Sequence, residues 1–228
     1  MTALSVIIPC YNQMKWLPEC LASLKNQTFT DFEVVIVDDG SDPPLFHDAG
    51  AIVGSGLDGN ILWLPQRTGT ATALNKGISI ASGEFIAIVH ADDMVEPWYL
   101  RQMMDAAGDW FCYGDLRLFI NGERAATLRC GHWDYERAKK KNLAHAAILF
   151  PRAAWVKVGG YPNMPDGRED WAMSLRLAHG GYPGQYVHGE PGYLYRQHGD
   201  NRSLQNHTPE WTAYFARQMR EMLPEVYG

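Results

Sequence analysis

Along the first half of the chain, short unbroken apolar runs alternate with stretches whose apolar positions recur every three to four residues. Leu4 to Pro9 and Phe32 to Val37 are continuous and rich in β-branched side chains, so each predicts a buried strand. Ile61 to Leu64 is a third, weaker run, and Phe85 to Val89 a fourth. Between them, Trp16, Leu17, Cys20, Leu21 and Leu24 share one helical stripe. Ala73, Leu74, Gly77, Ile78 and Ala81 share another within Gly69 to Ala81, which Ser82-Gly83 stops. Pro97 opens a helix to about Ala107, at a position that needs no N–H. Strand and helix in alternation, with continuously apolar strands, predict an α/β fold whose mainly parallel sheet is covered on both faces.

The second half is less regular. Trp110 to Tyr113, Leu116 to Ile120, Ala147 to Phe150 and Tyr193 to Arg196 read as strands, and Asn121-Gly122 is a hairpin turn signal. Helices are expected over Tyr135 to Leu143, around Trp155 before Gly159-Gly160, over Glu169 to His179 ahead of Gly180-Gly181, and over Tyr214 to Leu223. The last helix carries Trp211, Phe215, Met219 and Met222 at helical spacing, which suits packing back on the domain. There is no linker rich in Pro, Gly or Ser and no repeat, so a single domain spanning 1–228 is expected.

Composition narrows the class. A chain of 228 residues, 46% hydrophobic and 20% charged, has the size and content of one globular domain; at that size roughly 70% of the unfolded surface is buried. Absence of low complexity excludes disorder as the main state. A net charge of −6 with scattered acids is the wrong balance for phosphate neutralisation, so nucleic acid is not an expected partner. Apolar runs fall far short of the ~20 residues that span a bilayer, and no transmembrane segment is expected. Met1 to Pro9 has no basic start and does not read as a signal peptide. Cys10, Cys20, Cys112 and Cys130 form no C-x-x-C pair and read as buried thiols in a reducing, cytoplasmic setting.

Polar clusters follow three of the strands. Pro9-Cys10-Tyr11-Asn12 comes after the first, Asp38-Asp39 after the second and His90-Ala91-Asp92-Asp93 after the fourth. Ligands of open parallel sheets bind beyond the carboxyl ends of the strands. A lone Asp there is a turn former or a helix cap; three such sites on one edge point to a shared pocket. Tyr11 offers a flat face to a nucleobase, and Asp39 offers acceptors for a base N–H or ribose hydroxyls. Asp92 and Asp93 are adjacent hard oxygen donors suited to Mg²⁺ or Mn²⁺ on a diphosphate, or are first-turn acids before Pro97. Glu169 and Asp170 open a helix, either as dipole-favoured acids or as catalytic groups, and Trp171 beside them is a candidate sugar-stacking ring. His198 could ligate a metal or pair on the surface. The basic run Arg137, Lys139, Lys140 and Lys141 is either a solvated helix face or a contact for an anionic membrane or lipid diphosphate. No Walker loop, G-x-G-x-x-G or G-x-S-x-G occurs, so kinase, dinucleotide dehydrogenase and serine hydrolase readings lack their groups.

Taken in order, these segments resemble the family 2 glycosyltransferases of GT-A fold. The likeness runs through S-V-I-I-P-C-Y-N (5–12), the stretch from Asn26 to Ser41, T-G-T-A-T-A-L-N-K-G-I-S-I-A-S-G-E-F-I (68–86) and H-A-D-D (90–93). It continues through G-G-Y (159–161), E-D-W (169–171) and Y-R-Q-H (195–198), reaching about residue 203. The resemblance implies a Rossmann-like, mixed but mainly parallel sheet flanked by helices. A nucleotide-sugar-binding half (1–107) would precede an acceptor-side half with its C-terminal helix (108–228). It implies inverting transfer of a sugar from a nucleotide-diphosphate sugar, usually a UDP-sugar, to a hydroxyl of a glycan or lipid-linked acceptor, in the cytoplasm or at the inner face of the membrane with peripheral contact. The implied residues are Pro9, Tyr11, Asn12, Asp39, Asn75 and Asp92 for the nucleotide sugar, Asp93 and His198 for a divalent Mn²⁺ or Mg²⁺, and Asp170 as general base; His90, Glu169 and Trp171 are further candidates. Many relatives read D-A-D-D where this chain reads H-A-D-D. His90 prompts the alternative of a non-catalytic nucleotide-sugar-binding domain. A sugar nucleotidyltransferase is a third reading, disfavoured because no Gly- and Arg/Lys-rich phosphate loop follows the first strand.

Overall fold

The computed structural model describes residues 2–45, 56–164, 167–199 and 209–227. A seven-stranded sheet runs in the order β10-β6-β9-β4-β1-β2-β3. Its central strands are β1 (Leu4–Cys10), β2 (Phe32–Asp38) and β4 (Phe85–Ile88), with β3 (Gly59–Trp63) at one edge. β6 (Phe111–Tyr113), β9 (Ile148–Pro151) and β10 (Gly184–Tyr186) complete it. β1 pairs in parallel with β2 and β4, and β2 with β3; β9 runs antiparallel to both β4 and β6. A smaller sheet, β5-β11-β7-β8, joins β5 (Met94–Val95), β11 (Tyr193–Gln197), β7 (Leu116–Ile120) and β8 (Glu123–Leu128).

The unbroken apolar runs of β1 and β2 are explained by two covered faces. Successive side chains point to opposite sides of a strand. Val6, Ile8, Val34 and Ile36 accordingly join one core with α1 (Leu17–Lys25) and α3 (Tyr99–Asp105). Ile7, Val35 and Val37 join the other, with α2 (Thr70–Ile80), α5 (Arg152–Val158) and α6 (Glu169–His179). A third cluster lies under α7 (Pro209–Met222) and α8 (Pro224–Tyr227), with Met219, Leu223 and Val226 packed on Leu175 and Trp171. Phe215 and Met219 of α7 are buried, as expected, and Met222 is 37% exposed; the Trp211 side chain lies outside the described residues. All four cysteines are buried free thiols.

Close packing at Gly77 sets one test. A Cβ there would stand 2.7 Å from Val37 Cγ2 and 2.8 Å from Ile7 Cγ2. Overpacking of this kind costs about 1–3 kcal/mol, against about 1 kcal/mol gained from replacing a mid-helix glycine. Gly77→Ala is expected to lower the urea midpoint at unchanged m-value, and a raised midpoint would show that α2 can lift off the sheet at no cost.

Several elements differ from the sequence reading. The helix expected over 135–143 stops as α4 (Tyr135–Ala138). Its continuation needs the carbonyls of Ala138 and Lys139, but the Trp171 indole N–H takes the first at 2.6 Å and the Tyr227 hydroxyl the second at 2.9 Å. β5, β8 and β10 were not expected as strands; β8 follows the Asn121-Gly122 turn, whose residues have φ 52° and 86°, as a tight hairpin requires.

Candidate active site

Parallel registry delivers the carboxyl ends of β1, β2 and β4 to one edge, where the loops after Cys10, Asp38 and Ile88 emerge together. Because β9 is antiparallel to β4, with Ala87 opposite Leu149 and Phe85 opposite Pro151, the segment leading into β9 reaches that same edge. The Asn142–Ala147 stretch therefore borders the loop carrying His90 to Asp93.

On the β1–β2 side, Tyr11 lies under Arg67, whose guanidinium carbon is 4.3 Å from the ring centroid. Asp39 is buried and accepts from the Thr68 N–H and hydroxyl, both at 2.7 Å, and from the Gly69 N–H at 2.8 Å. Asn12, at φ 54°, fastens the first loop to the second: its N–H donates to Ser41 Oγ and its Oδ1 accepts from the Asp42 N–H, each at 2.9 Å. Pro9 sits in β1 beside the end of β4. The Val89 N–H bonds the Ile7 carbonyl.

On the β4 side, His198 Nε2 is 3.0 Å from Asp92 Oδ2, and the His198 ring lies 5.6 Å from Trp16 at an interplanar angle of 31°. Arg196 is buried beneath them. Its Nε donates to the Asp92 carbonyl at 2.8 Å and its Nη2 to Glu19 Oε2 at 2.7 Å. The guanidinium also lies 4.3 Å from the Trp16 centroid. Asp93 turns inward: Oδ2 accepts from the Tyr193 hydroxyl at 2.7 Å and Oδ1 from the Arg196 N–H at 2.8 Å. Burial, then the neighbouring charge of Asp92, push the Asp93 carboxyl well above the usual carboxylate range. Both oxygens of Asp93, the expected metal ligand, thus have a partner inside the fold. Asp92 is the carboxylate that meets His198. No cluster of three or more His, Cys, Asp or Glu fit for a metal occurs among the described residues. The donor set in the protein is one carboxylate and one imidazole, which suits an ion whose other positions are filled by diphosphate oxygens and water. His90 contributes its backbone here, its N–H bonding the Tyr193 hydroxyl at 3.1 Å.

The acceptor side centres on Asp170, in the first turn of α6 behind Gly167 and Arg168, at φ 95° and 73°. Asp170 Oδ2 accepts from Asn142 Nδ2 at 2.8 Å. Glu169 precedes it in the same turn. Trp171 is corrected as a sugar platform: it is 7% exposed, its indole N–H is given to Ala138, and its ring belongs to the α7–α8 core. Asn75 is also corrected as a donor-binding residue. Its Oδ1 accepts from Trp155 Nε1 and the Tyr161 N–H, at 2.9 and 2.8 Å, and its Nδ2 donates to the Tyr161 carbonyl at 2.9 Å. Asn75 thus fastens α2 to the Gly159-Gly160-Tyr161 turn, where a Cβ at Gly160 would meet Asn75 Oδ1 at 2.6 Å. Arg67, Trp16, Arg196 and Asn142 were not singled out as functional from sequence. Arg196 and Trp16 flank motifs that were; Asn142 carries no local signal.

The family model described as "Glycosyl transferase family 2" matches residues 5–153. EpsH of Bacillus subtilis is 38% identical over 111 residues, covering 47% of this chain and 31% of that protein. The PGL/p-HBAD biosynthesis glycosyltransferase of Mycobacterium bovis is 30% identical over 179 residues, covering 75% of this chain and 68% of the other. Among solved structures, S. aureus TarS in complex with UDP-GlcNAc superposes with a TM-score of 0.75 at 20% identity, over 98% of this chain and 66% of that one. The last likeness establishes the fold, a GT-A sheet flanked by helices.

Proposed function

The chain belongs to glycosyl transferase family 2, and on that premise we propose that it transfers a sugar, with inversion, from a UDP-sugar to a hydroxyl of a glycan or lipid-linked acceptor. The observation that carries this reading is the shared edge: Tyr11, Asp39 and the Asp92–His198 pair stand where β1, β2 and β4 end, and the segment entering antiparallel β9 brings Asn142, bonded to Asp170, to the same edge. The complex of TarS with UDP-GlcNAc and the glycosyltransferase name of the mycobacterial relative support the donor class.

Tyr11 and Arg67 form a stacking pair able to receive a flat base, with Asp39 beside it. Asp92 and His198 would hold a divalent ion, Mn²⁺ or Mg²⁺, which when bound neutralises charge on the departing diphosphate. Asp170 takes the proton of the acceptor hydroxyl as that oxygen attacks the anomeric carbon, opposite the bond to the diphosphate. The new glycosidic bond forms as the old carbon–oxygen bond breaks, and its electron pair leaves with UDP. Among the described residues no helix is long and apolar enough to cross a membrane.

A thermal-shift panel of UDP-, GDP- and dTDP-sugars, with and without Mn²⁺, tests this. At a hundredfold excess over Kd, specific binding adds about 2.7 kcal/mol, or about 5–10 °C for a chain of this size. The UDP-sugar with Mn²⁺ is expected to give the largest shift, and Asp92→Ala to remove the Mn²⁺-dependent part. A shift confined to GDP- or dTDP-sugars would overturn the donor assignment; indifference to EDTA would remove the ion from Asp92 and His198.

A further inference from the structure

Asn142 lies in the segment between α4 and β9, 28 residues before Asp170, and makes two directed contacts with its side-chain amide. Nδ2 donates to Asp170 Oδ2 at 2.8 Å, and Oδ1 accepts the His145 backbone N–H at 3.2 Å. The second contact orients the first. With Oδ1 committed to an N–H donor, the amide must present Nδ2 to the carboxylate; the reverse orientation would set oxygen against oxygen and N–H against N–H. His145 supplies that N–H from the left-handed region, at φ 49°, so the chain is bent back specifically at this point.

Among the described residues, the other charged and titratable groups around the carboxylate are Arg168 and Glu169 on its own turn, Tyr161 from the preceding loop, and Lys141 and His145 from the segment before β9. Burial holds the His145 imidazole below its usual range, with Lys141 and Arg168 acting in the same sense and Asp170 against it. The directed donor to Asp170 is therefore a neutral amide, which has no proton to lose across the working pH range.

We propose that Asn142 is the positioning residue for the general base: it pins Oδ2 of Asp170 and leaves Oδ1 to accept the proton of the acceptor. This rests on the reading of Asp170 as base.

The experiment follows kcat and donor KM for the full chain with Mn²⁺, as release of UDP from whichever UDP-sugar gives the largest thermal shift, water serving as acceptor. Asn142→Ala is expected to lower kcat roughly ten- to hundredfold, the range carried by a hydrogen bond to a charged group, with donor KM unchanged. Asn142→Asp is the sharper variant. It keeps an oxygen for the His145 N–H and so preserves the bend, but sets an oxygen against Asp170 Oδ2 in place of the N–H donor, and kcat should fall at least as far with donor KM unchanged. If Asn142 only shapes the loop, Asn142→Asp will keep the wild-type kcat, and the proposal fails even where Asn142→Ala is too unstable to assay. Asp170→Asn is measured alongside: wild-type turnover there would overturn the base assignment itself, whereas an inactive Asp170→Asn beside a normal Asn142→Asp would overturn the role of Asn142 alone.

Discussion

Asp170→Asn is expected to reduce sugar transfer by two to four orders of magnitude, about the contribution of a positioned general base, with donor binding preserved. Asn matches the shape of Asp but cannot accept and keep a proton. The fold has a simple way to accommodate it: the new amide can turn its oxygen to Asn142 Nδ2, which now meets Asp170 Oδ2 at 2.8 Å. Neither Trp171 nor Ala172, both buried, need shift, so α6 keeps its packing. Transfer and slow donor hydrolysis are the readouts for chemistry, and the donor-induced thermal shift is the readout for binding. Loss of both would indicate damage to the donor site, and retention of transfer to within a few-fold would remove Asp170 from the mechanism.

Arg196→Met should have the largest effect on stability. The guanidinium is 6% exposed and joins β11 to the Asp92-Asp93 turn through the Asp92 carbonyl and, by its charge, through the buried Asp93 carboxyl. Met keeps an apolar stem against Trp16 and Phe119 but leaves the Asp92 carbonyl without its donor and removes a cation that opposes the upward push on the Asp93 carboxyl. Removing one partner of a buried charged network costs about 3 kcal/mol or more, which lowers Tm by about 6–12 °C in a chain of this size. The bond to Glu19 adds little, because that carboxylate is 53% exposed. Arg196→Lys should rescue poorly, since one ammonium on a flexible stem cannot reproduce the fork that serves the Asp92 carbonyl and Glu19 together. Denaturant unfolding measures the loss, and a change below about 1 kcal/mol would mean that the turn holds its shape without the guanidinium.

What the chain discloses before folding follows from how local each cause is. β1, β2 and β4 were legible because a strand covered on both faces is apolar on both; the exceptions within the runs, Ser5 and Glu33, hydrogen-bond each other at 2.7 Å. α2 and α6 were legible because each lays one stripe on the sheet. The polar groups after Cys10, Asp38 and Ile88 were legible as a group because parallel strands bring their ends together. The direction of β9 was not, since Ile148 to Pro151 carries the same apolar run whichever way it lies. The end of α4 was set by the distant Trp171 and Tyr227, which no helix signal near Ala138 could announce. The same holds within the site. Asp92 and Asp93 are indistinguishable as neighbours in sequence, and only Tyr193 and Arg196, about a hundred residues on, decide which turns inward. Asn75 fell in a matching segment, yet its amide proved to be tied to Trp155 and Tyr161.

Asp39 has a consequence for how this sheet handles phosphate. In dinucleotide-binding folds the N-terminus of a helix following a strand is the anion site, its free N–H groups aimed at the pyrophosphate. Here the comparable approach to α2 is already taken by an anion of the protein's own, the carboxylate of Asp39 on the Thr68 and Gly69 N–H groups. A second negative group brought to that helix end would meet repulsion where the other folds offer attraction. On the proposed reading a diphosphate would lie along the edge towards His198, with its charge met by movable cations and side chains, which can let go of a product more readily than a fixed ring of backbone amides.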